Sequence, residues 1–234
     1  MKKKNILFVV AHPDDEILAV SGTIARLIKE KSNVYVLYLF EGSSARFDNI
    51  DKEKFKIKAL IYKRKKMAIK ASKFLKFIII DFLDYPNLRF KNSRHAIIDI
   101  TKKIEVILNK LNITEVFTHH PNDMNCDHEV TYEATVNACR PKKNIANKIF
   151  LFEVPSSTDW SYDTSVKIFY PNTFVNIEKF INTKLKSLEF YKSELRALGH
   201  PRSILNIKAL SIYRGGQSGF KYAEAFQMIR FFKS

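Results

Sequence analysis

Short apolar runs alternating with amphipathic stretches set the outline of this chain. Ile6 to Ala11, Val34 to Phe40, Phe77 to Asp81 and Glu115 to Thr118 read as buried strands, with Lys148 to Val154 as a fifth. Between them the apolar positions recur at spacings of three and four. Ile17, Val20, Ile24, Leu27 and Ile28 make one such stripe, and Ile97, Ile100, Ile104, Ile107, Leu108 and Leu111 make another. Residues 51–76 read as a long basic helix. Strands alternating with helices predict an α/β fold, a mostly parallel sheet with helices on both faces. After residue 155 the alternation loosens. Thr158 to Asn172 is aromatic and loop-like, Ile177 to Leu198 reads as a helix, Ser203 to Arg214 as a shorter one, and Gly215 to Gly219 as a turn. The expected organisation is a single domain over 1–234, with a core of 1–155 and an extension of 156–234 packed on it.

Two of the strands end in polar bursts. The first passes from Ala11 into His12, Pro13, Asp14, Asp15 and Glu16. Pro13 stops the strand and holds His12 extended, and the carboxylates fall at a helix start, where Asp is a favoured cap. His12 and Asp15 can offer one nitrogen and one oxygen to a single metal, leaving Asp14 free beside it. The second burst runs from Thr118 through His119, His120, Pro121, Asn122, Asp123, Asn125, Cys126 and Asp127 to His128 and Glu129. Ends of parallel strands share one rim, where open α/β sheets bind ligands. His128 can therefore complete a His-Asp-His set with His12 and Asp15, the three protein groups a catalytic zinc requires. Fe²⁺, Co²⁺ or Ni²⁺ suit the same donors. Cys126 is a weaker candidate for a soft ligand.

Composition narrows the class. The 46% hydrophobic and 27% charged residues are those of a globular protein, and two cysteines, Cys126 and Cys139, make no disulfide framework. No apolar run approaches the ~20 residues of a membrane span. The first apolar run leads into His12 without a small-residue cleavage site, so it reads as a strand and the expected location is cytoplasmic. The formal charge of +16 comes from lysines scattered along the chain. The densest group, Lys63-Arg64-Lys65-Lys66 with Lys70, Lys73 and Lys76, lacks interleaved stacking aromatics and reads as a solvated helix face, with an anion or polyanion contact as the alternative. No nucleic-acid partner is expected, although a basic nucleic-acid-binding protein with a structural metal is the alternative from another class.

The segment Ala11-His12-Pro13-Asp14-Asp15-Glu16, with a distal Asp127-His128, resembles the LmbE/PIG-L family of zinc-dependent N-acetylglucosaminyl deacetylases. Later echoes are Tyr191-Lys192-Ser193-Glu194, His200-Pro201-Arg202-Ser203, and Arg214-Gly215-Gly216 running on to Tyr222-Ala223-Glu224-Ala225-Phe226. The resemblance implies a Rossmann-like sheet and removal of an N-acetyl group from an amino sugar, often one carried on a conjugate. It assigns zinc to His12, Asp15 and His128, and the general base to Asp14. Many members carry His-x-x-His, whose first histidine stabilises the oxyanion; here Asn125 stands three residues before His128. Either Asn125 fills that role or a nearby histidine does; a histidine is favoured, His120 ahead of His119. Asp127 is expected to orient a ligand, and Arg46, beyond the second strand, to contact substrate; Arg89, Arg202 and Arg214 are lesser candidates. The expected substrate is a nucleotide- or lipid-linked amino-sugar conjugate for surface-polysaccharide synthesis, or alternatively a glucosaminyl conjugate in thiol synthesis. A homo-oligomer is compatible with the sequence.

Overall fold

The computed structural model describes residues 3–88, 93–141, 146–161 and 168–233. Strands β1 (Asn5–Val10), β2 (Asn33–Phe40), β3 (Ile78–Tyr85), β4 (Glu115–His119), β5 (Lys148–Phe152), β6 (Thr173–Asn176) and β7 (Ala223–Phe231) form one sheet. Its order is β3-β2-β1-β4-β5-β7-β6. β1 to β5 pair in parallel, whereas β7 runs antiparallel to both β5 and β6. The central strands are continuous apolar runs because both their faces are covered. Ile6, Phe8 and Val10 point into one core and Leu7, Val9 and Ala11 into the other.

The first core lies under helices α1 (Asp15–Lys29) and α2 (Lys54–Leu75), with Leu188, Tyr191 and Ile207 from the C-terminal region. The second lies under α3 (Arg94–Lys110) and α4 (Cys126–Ala138). The result is a three-layer α/β fold, as the alternation predicts. Side-chain oxygens of Ser93 and Asn125 cap α3 and α4 by accepting from Ala96 N and Asp127 N. Asp14 precedes α1 but makes no side-chain cap bond, contrary to the expectation for that position. Its carboxylate is thereby left for the site.

The C-terminal region departs from the sequence reading in two ways. β6 and β7 were not anticipated, because Glu224, Gln227 and Arg230 interrupt the apolar pattern of β7, which is specified by pairing with β5. The continuous helix expected over 177–198 is instead a 3₁₀ turn at 178–180, helix α5 (Ile181–Ser187) and a second 3₁₀ stretch at 188–194. Tyr191 leaves helical geometry there, at φ −115° and ψ 38°. Helix α6 (Ile204–Gly216), capped by Ser203, lies against β7.

A buried polar knot ties this region to the core. Lys184 of α5 donates to Glu224 of β7 at 2.6 Å and to the carbonyl of Ala19 at 2.9 Å. Glu224 in turn accepts from the backbone N–H groups of Gly22 and Thr23. A methyl group at Gly22 would come within 2.9 Å of Ile177, so α1 approaches the extension closely only because a glycine stands there.

From β1 the strand order leads one way to β2 and β3 and the other way to β4 and β5. The carboxyl ends of β1 and β4 therefore flank the point where the order reverses, the usual ligand crevice of such sheets. Both polar bursts sit there.

Candidate metal centre

His12, Asp15 and His128 meet at that crevice, all three buried. His12 Nδ1 lies 3.3 Å from His128 Nε2, and Asp15 Oδ2 lies 3.5 Å and 3.4 Å from those two nitrogens. The near-equilateral triangle matches the edge of a tetrahedron whose corners stand about 2.0–2.1 Å from a central zinc, an edge of about 3.3 Å. Each histidine's other nitrogen is engaged by a carboxylate. His12 Nε2 donates to Asp127 at 3.1 Å, and His128 Nδ1 to Asp123 at 3.0 Å. These bonds turn the remaining nitrogens, His12 Nδ1 and His128 Nε2, inward, the arrangement that outer carboxylates impose on metal-binding histidines.

The two carboxylates are themselves held. Asp127 accepts from Leu88 N on both oxygens. Asp123 accepts from Asn125 N at 2.9 Å, Thr158 Oγ1 at 2.9 Å and the Ser157 hydroxyl. Burial acts to raise the Asp123 pKa, but His128 and these donors outweigh it and bring it down to about 2. For His12, burial acts to lower the pKa, and its bonds to Asp127 and Asp15 outweigh burial, raising it to about 9.

A second set, His119, Asp123 and His128, also lies close together. Several of its atoms already have partners. His119 Nε2 accepts from Ala11 N at 2.9 Å, and both Asp123 oxygens have the partners given above. The His12 set instead opens on a solvent-accessible cavity of about 190 Å³.

Asp14 also lines this cavity, beside Asp15. Its backbone φ of 149° is unusual for a non-glycine residue, and Glu16 supports it by accepting from Asp14 N at 3.1 Å. Tyr191, at the kink described above, donates to the other Glu16 oxygen at 3.1 Å. The Asp14 carboxylate faces Arg64 at 3.3 Å and Arg202 at 3.6 Å. Burial, reinforced by Asp15, lifts the Asp14 carboxyl above its ordinary range against the pull of these arginines.

The remaining sequence candidates divide. Asn125 and Arg46 line the cavity. Asn125 uses its side-chain oxygen to cap α4, so its amide N–H₂ is the end left for a ligand. Arg46 pairs with Glu194 at 2.8 Å. His120 is buried with Nδ1 accepting from Asn122 N and its ring edge-on to Phe169, and it is not on the cavity wall. His119 packs behind the site, 4.0 Å from the His128 ring. Arg202 is on the wall, Arg214 pairs with Glu153 away from it, and Arg89 lies outside the described residues.

Sequence reasoning missed Arg64 and Asn87. Arg64 belongs to the lysine run read as a solvated face, yet it is buried and bonds Glu194 at 2.6 Å as well as Asp14. A Cβ at Gly42 (φ +76°) would stand 2.1 Å from the Arg64 guanidinium, so a glycine is required where this side chain crosses the loop. Asn87 accepts from Gly42 N and sits 3.3 Å from His12 Nε2. Neither had a signal of its own in the sequence; only the Tyr191–Glu194 echo hinted at the far side of the Arg64 pair.

The fold and this geometry define an α/β protein with a His-Asp-His set that could hold a metal ion at the switch point of its sheet. The chain belongs to the PIG-L family, described as GlcNAc-PI de-N-acetylase, whose model matches residues 7–139. It is 28% identical over 194 residues to the uncharacterized deacetylase YaiS of Escherichia coli K12, covering 82% of this chain and 92% of that one. Its fold is similar to that of N,N'-diacetylchitobiose deacetylase from Pyrococcus horikoshii, with TM-score 0.74, 18% identity, and 98% and 85% of the two chains covered. It is equally similar to GalB, the 4-carboxy-2-hydroxymuconate hydratase of Pseudomonas putida KT2440, with TM-score 0.74, 19% identity, and 99% and 98% covered. The same architecture thus carries different reactions, and function has to be argued from the site.

Proposed function

We propose that this protein is a metal-dependent hydrolase that removes the N-acetyl group from an amino-sugar conjugate. The observation that carries the reading is the inward triangle of His12, Asp15 and His128, with the Asp14 carboxylate on the wall of the cavity that His12 and Asp15 also line. We assign these three residues to a divalent cation, Zn²⁺ by the nitrogen and oxygen donor set. When bound, that ion supplies Lewis acidity toward the acyl carbonyl and lowers the pKa of a bound water.

The protein's own groups supply the proton traffic. Asp14 takes a proton from the attacking water and returns one to the departing nitrogen, so the C–N bond breaks to acetate and a free amine. A carboxyl raised by burial is suited to hold that proton between the two steps. Arg64 and Arg202 orient the Asp14 carboxylate by facing the same one of its oxygens, Oδ2. We assign the oxyanion contact to the Asn125 amide, supported by its position on the cavity wall, in preference to His120. Arg46 is half-exposed, with donors beyond its bond to Glu194, and favours a conjugate bearing phosphate, nucleotide- or lipid-linked, as in surface-glycan synthesis.

The test is acetate release from a panel of N-acetylated amino sugars, free and linked to nucleotide, lipid phosphate or a thiol-precursor aglycone. The metal-loaded protein is expected to release acetate from at least one conjugate and to lose that activity on chelation. Full activity after complete metal removal would overturn the reading.

A further inference from the structure

The outward face of α2 takes no part in the site. The helix carries eight lysines, Arg64 and no acidic residue. Its inner side buries Ile57, Arg64, Ala68, Ala71 and Leu75. On its outer side three large apolar residues stand in water: Phe55 is 88% exposed, Tyr62 61% and Ile69 40%. They are seven residues apart, a spacing that drifts only about 20° per step and so keeps them in one stripe. Lys58, Lys66 and Lys73 lie along this stripe, with Lys63 and Lys70 at its edge; Lys66 Nζ sits 4.4 Å over the Tyr62 ring. Among the described residues, Lys56 pairs with Glu53 and Lys65 with Asp84, and neither acid belongs to the helix.

We propose that α2 is an interfacial helix that docks the protein on an anionic phospholipid bilayer. A ridge of apolar side chains flanked by long cationic ones is the pattern that lies in a membrane interface, with apolar groups below the headgroups and lysines reaching back to the phosphates. Charge complementarity selects this occupant, because the chain as a whole carries +16. A second copy would set lysine ridge against lysine ridge. A nucleic acid would need a groove or a stacking platform, and a convex helix whose stripe includes aliphatic Ile69 offers neither. The sequence reading of this cluster, a solvated face or alternatively an anion contact, overlooked Phe55 and Tyr62, which fold into its outer stripe. Phe55 also lies at the end of α2 nearest the loop that carries Arg46 to the cavity wall. The docking does not depend on the deacetylase reading, since vesicle binding and acetate release are measured separately.

The experiment is co-flotation of the full chain with vesicles of phosphatidylcholine alone and of phosphatidylcholine mixed with phosphatidylglycerol. Binding is expected only to the mixed vesicles. It should weaken at least about tenfold in Phe55→Ser/Tyr62→Ser/Ile69→Ser, whose circular dichroism should match the wild type. Absence of binding to anionic vesicles at low salt would overturn the proposal. So would equal binding by the triple variant, or displacement of the protein from vesicles by duplex RNA in stoichiometric amount.

Discussion

At the scale of single residues, the centre depends on which nitrogen of each histidine faces inward, and Asp127 and Asp123 decide that. Asp127→Ala frees the His12 ring to turn and leaves Leu88 N without its acceptor; Asp123→Ala does the same to His128. Each change is expected to weaken metal affinity by about 10–100-fold while the three ligands stay in place. Competition with a chelating dye measures this, and unchanged affinity in both variants would contradict the role assigned to these carboxylates. The acid-base state of His12 gives a second check. In the metal-free protein its pKa of about 9 keeps it protonated at neutral pH, so binding through Nδ1 must expel a proton. Metal affinity is therefore expected to fall as pH drops below about 9. Calorimetric titrations in buffers of different ionisation enthalpy should show net proton release at neutral pH, and no release would contradict the use of His12.

At the scale of elements, the buried Lys184 is one of the links that join the C-terminal region to the rest of the sheet and its helices, beside the β5–β7 pairing and the Arg64–Glu194 pair. Lys184→Met would leave Glu224 buried with only its two backbone donors. Removing one partner of a buried pair costs roughly 3–5 kcal/mol, which thermal or urea unfolding would register; a change below about 1 kcal/mol would show that the pair does not fasten the extension. The same elements explain what could be read from the chain beforehand. β1 to β5 were legible as short apolar runs, and α1 and α3 as apolar stripes at helical spacing; the sheet order then brings His12 and His128 to one rim. The kink at Tyr191 and the pairing of β7 were not legible, because partners far away in sequence impose them. Arg64 was hidden for a related reason. Its residue type matches its lysine neighbours, and only the helix's rotation turns it toward Asp14.

At the scale of the whole molecule, the two ends of the chain cooperate in one cavity. The first burst supplies His12, Asp14 and Asp15 to the cavity wall, the second supplies Asn125, with His128 behind His12 and Asp15, and the C-terminal region supplies Arg202, with Glu194 behind Arg64. None of these groups forms the site alone, so function belongs to the assembled sheet edge. Among the described residues no helix is long and apolar enough to cross a membrane. The central claim is that a divalent ion held by His12, Asp15 and His128 works with Asp14 as the proton carrier. The most direct test measures metal content and acetate release side by side for the wild type and Asp14→Asn, on a conjugate that the wild type cleaves. The account predicts equal metal content with a rate lower by about 10²–10⁴-fold. A variant that keeps both its metal and its rate would contradict it.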